Sequence, residues 1–268
     1  MPAATPPAQI AGIYRYPVKG LTPEQFTRAE LSPGQTLLAD RRYAIENGPS
    51  GFDPAAPKWL PKPHFLMLMR DEWLAGLRTQ FDDASNVLSI NHNGQIVAQG
   101  NLATPEGRQA IENFFATTFG GQIKGPPKVL ESPGHSFSDV ARKVVSIINL
   151  ASVRAIENMV GAPVHPLRFR ANLYVEGWPA WHEFELLDRT LAIGDVRLKV
   201  VKRIVRCAAV NVDPDTAARD LAIPKALMQR LGHCDCGIYA EVIAGGSIGA
   251  GDTIAAEEPK LRQFVGMT

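Results

Sequence analysis

The sequence has few cysteines, almost no net charge and no long hydrophobic run. Only three cysteines occur in 268 residues, and 28 Lys and Arg side chains are balanced by 27 Asp and Glu, for a formal charge of +1. A small, odd number of thiols excludes the disulfide framework of a small secreted protein. The near-neutral total argues against a protein that coats nucleic acid, although it allows a local basic pocket for one anionic ligand.

Targeting and membrane signals are also missing from the sequence. No stretch approaches the roughly 20 continuous apolar residues of a membrane-spanning helix. Residues 1–9 have neither the basic region nor the apolar core of a signal peptide. We therefore expect a cytoplasmic protein with no membrane span and no nucleic-acid partner.

Gly (23) and Pro (21) are frequent in the sequence, so it predicts short strands separated by turns. Asn93-Gly94 predicts a hairpin turn, and the prolines between Pro49 and Pro63 predict a long surface loop. Gly194-Asp195 and Gly251-Asp252 predict tight turns ahead of strands. This pattern indicates an α+β, mainly β fold of two β-barrel-like domains with short helices.

Three helices have recognisable ends in the sequence. Thr104-Pro105 is typical of a helix start, and a second helix begins at Asn149 or Ser152 and runs to Val160. A third is predicted from Pro224 to Leu231. The glycines of 120–125, followed by two prolines, predict a boundary near residue 122 that separates domains 1–122 and 123–268.

Cys207 is the first candidate for chemistry, because it follows an apolar strand and has Arg206 beside it. A thiolate is a soft metal ligand, and adjacent positive charge favours the ionised form. The alternative is a buried structural cysteine. Cys234 and Cys236 lack the Cys-x-x-Cys spacing of a zinc site and are interpreted as part of a turn. Three cysteines cannot ligate a four-cysteine iron–sulfur cluster.

Basic side chains are clustered locally despite the neutral total. The candidates are Lys19, Arg41, Arg42, Arg168 and Arg170, with the amide of Asn172 close to the last two. Guanidinium groups bind phosphate through two parallel hydrogen bonds, and an amide can pair with the edge of a heterocycle. If residues 168–170 are extended, both arginines project from one face. The alternative is an exposed strand edge with ordinary surface ion pairs.

Six motifs occur in an order that resembles the MOSC (molybdenum-cofactor sulfurase C-terminal) domain family, in the form that carries an N-terminal β-barrel domain. The resemblance covers residues 10–254. Its motifs are Tyr16-Pro-Val-Lys-Gly20, Asp40-Arg-Arg42, Ser146-Ile-Ile-Asn-Leu-Ala-Ser152, Arg168-Phe-Arg-Ala-Asn172, Arg206-Cys207 with Val212-Asp-Pro-Asp-Thr216, and Gly251-Asp252.

This resemblance implies a molybdenum cofactor (molybdopterin) held between the two domains. Cys207 matches the family's metal-ligating, catalytic cysteine. Lys19, Arg41 or Arg42, and Arg170 with Asn172 match positions that hold the pterin and its phosphate, and Arg168 adds to this set of cations. Relatives often have Arg-Pro-Asn where this chain has Arg170-Ala171-Asn172.

The activity implied is that of a molybdenum-dependent oxidoreductase. By similarity to the amidoxime-reducing branch of the family, it would reduce N-hydroxylated small molecules by oxygen-atom transfer. The sequence ends at Thr268, without the ferredoxin-like extension of some bacterial relatives, so we expect a separate electron-donor protein with flavin, haem or iron–sulfur. Two alternatives stay open. One is a carrier of the cofactor or of sulfur as a Cys207 persulfide. The other is a pyridoxal-phosphate protein, although no lysine lies in a recognisable Schiff-base motif.

Overall fold

A computed structural model describes residues 7–257 of the chain, with fifteen strands and three α-helices in that range. The outer ends of the two predicted domains, residues 1–6 and 258–268, lie outside it. In chain order the strands are β1 (Ala8–Arg15), β2 (Glu24–Phe26), β3 (Arg28–Leu31), β4 (Tyr43–Asn47), β5 (Arg78–Asp82), β6 (Val87–His92), β7 (Gln95–Asn101), β8 (Pro127–Glu131), β9 (Val145–Asn149), β10 (Leu173–Glu176), β11 (Thr190–Ile193), β12 (Val196–Val205), β13 (Asp235–Ala244), β14 (Gly246–Gly249) and β15 (Thr253–Ala256). The helices are α1 (Pro105–Phe119), α2 (Leu150–Val160) and α3 (Ile223–Leu231).

A closed seven-stranded barrel is the largest unit of the fold. Its strands pair in the order β10, β9, β13, β12, β11, β15, β1, and pairing of β1 with β10 closes the ring. Strands β9 and β10 are parallel, and α2 lies between them in sequence, as parallel neighbours require a long connection. Buried residues alternate along much of β12, so one face of that strand packs into the apolar barrel interior. The prediction of an α+β, mainly β fold is confirmed.

Smaller sheets build the rest of the molecule. Strands β5, β6 and β7 form one antiparallel sheet, β4 pairs with β8, and β3 pairs with β14. Helix α1 packs against β7 and β8 and contributes to a second apolar cluster. Pairing crosses the predicted boundary at residue 122, because β1 belongs to the barrel and β8 pairs with β4.

The helix ends follow the sequence signals closely. The side chain of Thr104 accepts a hydrogen bond from the backbone N–H of Gly107 at 3.1 Å. Of the two candidates for the start of α2, Asn149 is the cap, since its side chain accepts from the N–H of Ala151 at 3.0 Å. Helices α2 and α3 each end at a glycine with positive φ, Gly161 and Gly232, directly after the predicted last residues Val160 and Leu231.

None of the helices in residues 7–257 is both long enough and apolar enough to cross a membrane.

Candidate functional site

A cavity of about 270 Å³ opens at the end of β12, where residues from both halves of the sequence meet. This volume lies near the lower end of the range for small-molecule sites. Its lining includes the thiol-bearing Cys207, two carboxylates (Asp40 and Asp139) and six cationic side chains. The cations are Arg41, Lys62, Arg168, Arg170, Lys202 and Arg206.

Cys207 lies immediately beyond β12, at the start of a 3₁₀ turn formed by Ala208–Asn211. The residue is partly buried, and its side chain caps no backbone group of that turn. Lys62, from the loop that follows β4, lies beside it. Burial opposes the charge of the Lys62 ammonium, but Asp139 and then Cys207 outweigh it and raise the pKa of Lys62. The cavity therefore contains one accessible thiol next to a protonated amine.

The guanidinium group of Arg170 lies at this cavity. Its backbone is left-handed (φ 51°), and its guanidinium carbon lies 4.3 Å from the centre of the Tyr16 ring. In residues 7–257 no hydrogen bond or carboxylate pairs with that guanidinium. Burial and then the neighbouring Arg41 lower the pKa of Arg170 to about 10, which leaves it protonated at neutral pH.

Arg206 is held by the backbone rather than by an acidic partner. Its Nε donates to the carbonyl of Cys236 at 2.7 Å, and its Nη1 donates to the carbonyl of Phe169 at 2.9 Å. Its Nη2 is buried and has no partner among the described residues. A buried donor without an acceptor is costly, which suggests a site for an anionic ligand. In the sequence, Arg206 was recognised only as a neighbour of Cys207.

Arg168 has a different environment from Arg170, and the expectation that the two share one extended face is wrong. Residues Pro166–Phe169 form a 3₁₀ turn, so the spacing of two does not align the side chains. Arg168 donates to both carboxylate oxygens of Asp220 (2.8 and 2.9 Å), to Asp213 (2.7 Å) and to the carbonyl of Asn211 (2.9 Å). Its Nε is buried without a partner in the described range. Arg168 thus anchors the segment that follows Cys207, and we call this set of contacts the Arg168 clamp.

Asn172 lines the cavity, but its amide is already engaged. Its Oδ1 accepts from the N–H and the hydroxyl of Ser146 at 3.1 and 2.8 Å, and its Nδ2 donates to the carbonyl of Tyr14 at 3.2 Å. These bonds join the start of β10 to β9 and β1.

Lys19 lies behind the cavity rather than on its lining. Its ammonium group is buried, donates to the carbonyl of Phe137 at 2.9 Å and pairs with Asp139 at 2.5 Å. Burial lowers the pKa of Lys19, and attraction to Asp139 only partly offsets this. Against the opposing effect of burial, Lys19 in turn lowers the pKa of the half-exposed Asp139 to about 2. Lys19 therefore acts on the cavity only indirectly, by holding the lining residue Asp139 and keeping its carboxylate ionised.

Arg41 and Arg42 are separated by the structure. Arg41 lines the cavity, pairs with Asp40 and donates from Nη2 to the carbonyl of Arg170 at 2.8 Å. Arg42 instead pairs with Glu131 at 2.6 Å and lines a separate cavity of about 530 Å³. The sequence offered Arg41 or Arg42 as a cofactor-binding residue, and only Arg41 lines the same cavity as Cys207.

The other two cysteines lie away from this chemistry. Cys236 is fully buried in an apolar cluster, and burial raises its pKa to about 12. Cys234 donates weakly from Sγ to the carbonyl of Pro224 at 3.4 Å. Within residues 7–257 no group of three or more His, Cys, Asp or Glu side chains could hold a metal ion. Cys234 directly precedes β13 and Cys236 lies within it, so the interpretation of both as part of a turn is wrong for Cys236, because the strand begins at Asp235.

Two family models match consecutive parts of the described chain. A MOSC N-terminal beta barrel domain matches residues 7–126, and a MOSC domain matches residues 129–255. The chain is 25% identical over 230 residues to the molybdenum cofactor sulfurase of Caenorhabditis elegans, covering 81% of this chain. That match covers 31% of the relative, so the chain spans about a third of its length.

Similar chains also occur among solved structures. The YUAD protein from Bacillus subtilis has a TM-score of 0.44 at 14% identity, with 93% of this chain and 95% of that chain covered. YiiM from Geobacillus stearothermophilus has a TM-score of 0.35 at 20% identity, with 42% and 54% covered.

Proposed function

The chain belongs to the MOSC domain family, and we propose that its cavity binds the molybdenum cofactor for an oxidoreductase reaction. The substrates would be N-hydroxylated small molecules, and the electrons would come from a separate donor protein. One observation carries the proposal: a partly exposed thiol and two arginines without anionic partners in the described range line the same cavity.

The donor set fits such a cofactor. Arg170 and the Nη2 of Arg206 offer charge-assisted hydrogen bonds to a phosphate, and these are among the strongest in proteins. A single thiolate from Cys207 suits a soft metal whose remaining ligands come from the cofactor itself. A cluster or zinc site would need more protein ligands than this cavity contains.

Each side chain has a distinct part in this proposal. A bound cofactor would supply the two-electron redox chemistry that no side chain of the cavity can provide. Cys207 would hold the metal, and Arg170 and Arg206 would bind the phosphate. Arg41 would orient Arg170 by donating a hydrogen bond to the backbone carbonyl of Arg170. Conversion of an N–OH group to N–H and water consumes two electrons and two protons. A cytoplasmic location would keep the Cys207 thiol reduced.

Turnover of benzamidoxime by protein from a molybdenum-replete host, with a reduced viologen as electron source, tests this activity. We expect Cys207→Ser to lose nearly all turnover and Arg170→Met to lose most of it. Lys128→Gln, an exposed lysine on β8 outside the cavity lining, should match the wild type. Wild-type turnover by the Cys207→Ser protein would refute the assignment.

A carrier function is the second candidate, because the Cys207 thiol is accessible from a cavity and a relative is named a molybdenum cofactor sulfurase. In that case Cys207 would hold a persulfide. Mass spectrometry after incubation with a sulfide donor and an oxidant would reveal the gain of one sulfur atom on the Cys207 peptide. Release of bound cofactor to a second protein, without turnover of benzamidoxime, would favour the carrier.

Pyridoxal phosphate is a weaker alternative. Its Schiff base needs a neutral lysine, whereas the cavity lysine beside Cys207, Lys62, has a raised pKa. Borohydride treatment should therefore trap no pyridoxal phosphate on Lys62.

A further inference from the structure

The cavity has a rim formed by two exposed residues of β12, Lys202 and Val205. Both line the cavity, and both lie on the strand that leads to Cys207. The side chain of Val205 is 70% exposed, so it offers an apolar surface to solvent at the edge of the cavity. We call these two residues the rim.

Three of the six cavity cations already have acidic neighbours. Arg41 pairs with Asp40, and Arg168 is bound by two aspartates in the Arg168 clamp. Lys62 lies 4.0 Å from a carboxylate oxygen of Asp139. The charges of Arg41 and Arg168 are therefore compensated by the protein itself, whereas Lys62 shares the carboxylate of Asp139 with Lys19.

The other three cations have no carboxylate within ion-pair distance in residues 7–257. Arg170 and Arg206 are partly buried and are the groups that the proposed function assigns to the cofactor phosphate. Lys202 is exposed to solvent and also lines the cavity. A cofactor bound by the inner two arginines leaves the charge of Lys202 available for a second anion.

We propose that the rim is a substrate subsite for a carboxylate carried on an apolar body. The ammonium of Lys202 binds the carboxylate, and Val205 contacts the apolar part, so the preferred N-hydroxylated substrates are organic acids. The excess of cations over carboxylates on the lining raises the local concentration of anions. This inference rests on the proposed function, because it names the class of substrate for the same site.

A matched pair of substrates tests the rim: 4-carboxybenzamidoxime and its methyl ester, reduced by the cofactor-loaded protein. The wild type should have the lower KM for the acid. In Lys202→Gln the ratio of the two KM values, acid over ester, should rise by roughly two- to fivefold, as expected for one exposed ion pair. Added salt should shrink the wild-type preference, since exposed charges are screened. Val205→Ser should raise the KM of both substrates, and Lys128→Gln should leave the ratio unchanged.

Binding without turnover separates the rim from the proposed activity. Calorimetry with 4-carbamoylbenzoate and its methyl ester, neither of which has an N–O bond, should show tighter binding of the acid and its selective weakening in Lys202→Gln. If neither benzamidoxime is reduced, the proposed activity fails, while this binding result still decides the rim. An unchanged acid-to-ester ratio in Lys202→Gln, in KM or in binding, would overturn the inference, as would wild-type preference for the ester.

Discussion

The Arg168 clamp offers the sharpest test of the local structure, because Arg168 and Arg170 are two residues apart and have opposite environments. We compare Arg168→Met with Arg170→Met. The first removes a side chain that is 1% exposed and bound to Asp213, Asp220 and the carbonyl of Asn211. The second removes a guanidinium that lies over the Tyr16 ring and, in the described range, has no carboxylate within ion-pair distance.

The expected loss of stability follows from the exposure of the partners. Breaking a fully buried ion pair costs about 3–5 kcal/mol because the remaining charge is stranded. Here the side chains of Asp213 and Asp220 are 18% and 45% exposed, so each keeps some contact with water. We therefore expect Arg168→Met to lose about 2–4 kcal/mol, and Arg170→Met to lose about 1 kcal/mol or less for its ring contact.

Thermal unfolding of the cofactor-free proteins, followed by circular dichroism, measures both changes. For a chain of this size, the loss in Arg168→Met corresponds to a fall in Tm of roughly 5–15 °C. Hydrogen exchange should show faster exchange in residues 208–220 of that variant and not of Arg170→Met. Equal Tm values for the two variants would refute the assignment of Arg168 as an anchor.

Three further tests address other parts of the structure. Gly237→Ala should lower the unfolding free energy by about 1–3 kcal/mol more than Gly161→Ala, measured with urea. Both glycines have positive φ, but a Cβ at Gly237 would lie 2.5 Å from a backbone oxygen of β9, whereas Gly161 has open space. Iodoacetamide should label Cys207 in the native protein and leave the fully buried Cys236 unlabelled, as read by peptide mass spectrometry; equal labelling would contradict the assigned burial. Asp139→Asn should have a lower free energy of unfolding than the wild type at pH 6, measured by urea titration. Because folding lowers the pKa of Asp139 from 3.8 to about 2, its carboxylate stabilises the protein above pH 3.8, and this stabilisation is lost as the pH falls to about 2. The difference between the two proteins should therefore shrink over this pH range, and a difference that grows as the pH falls would contradict the account.

Local features of the fold were predictable from the sequence because their causes are local. The cap at Thr104 and the glycine at Gly161 act on the nearest turn of their own helices. The hairpin at Asn93-Gly94 has positive φ at both residues, as its composition predicted. The closure of the barrel by β1 and β10 joins residues more than 150 positions apart, and no local pattern indicates it.

The candidate site was predictable only in part, because charge pairing is a long-range property. Cys207 and Arg170 were identified by their motifs and lie on one cavity. The acidic partners of Arg168 lie 45 and 52 residues away, so its role as an anchor has no signal in its own motif. Lys62 was missed because the prolines around it predicted only a surface loop. Its place beside Cys207 depends on how that loop packs against the barrel.

Metal and pterin content of the purified protein test the central claim most directly. Protein from a molybdenum-replete host should contain close to one molybdenum per chain by elemental analysis, with matching pterin fluorescence after oxidation. Arg170→Met should lose both together, Cys207→Ser should retain less metal, and Lys128→Gln should match the wild type. A wild-type protein without molybdenum or pterin, or a Cys207→Ser/Arg170→Met double variant with full content of both, would contradict the account.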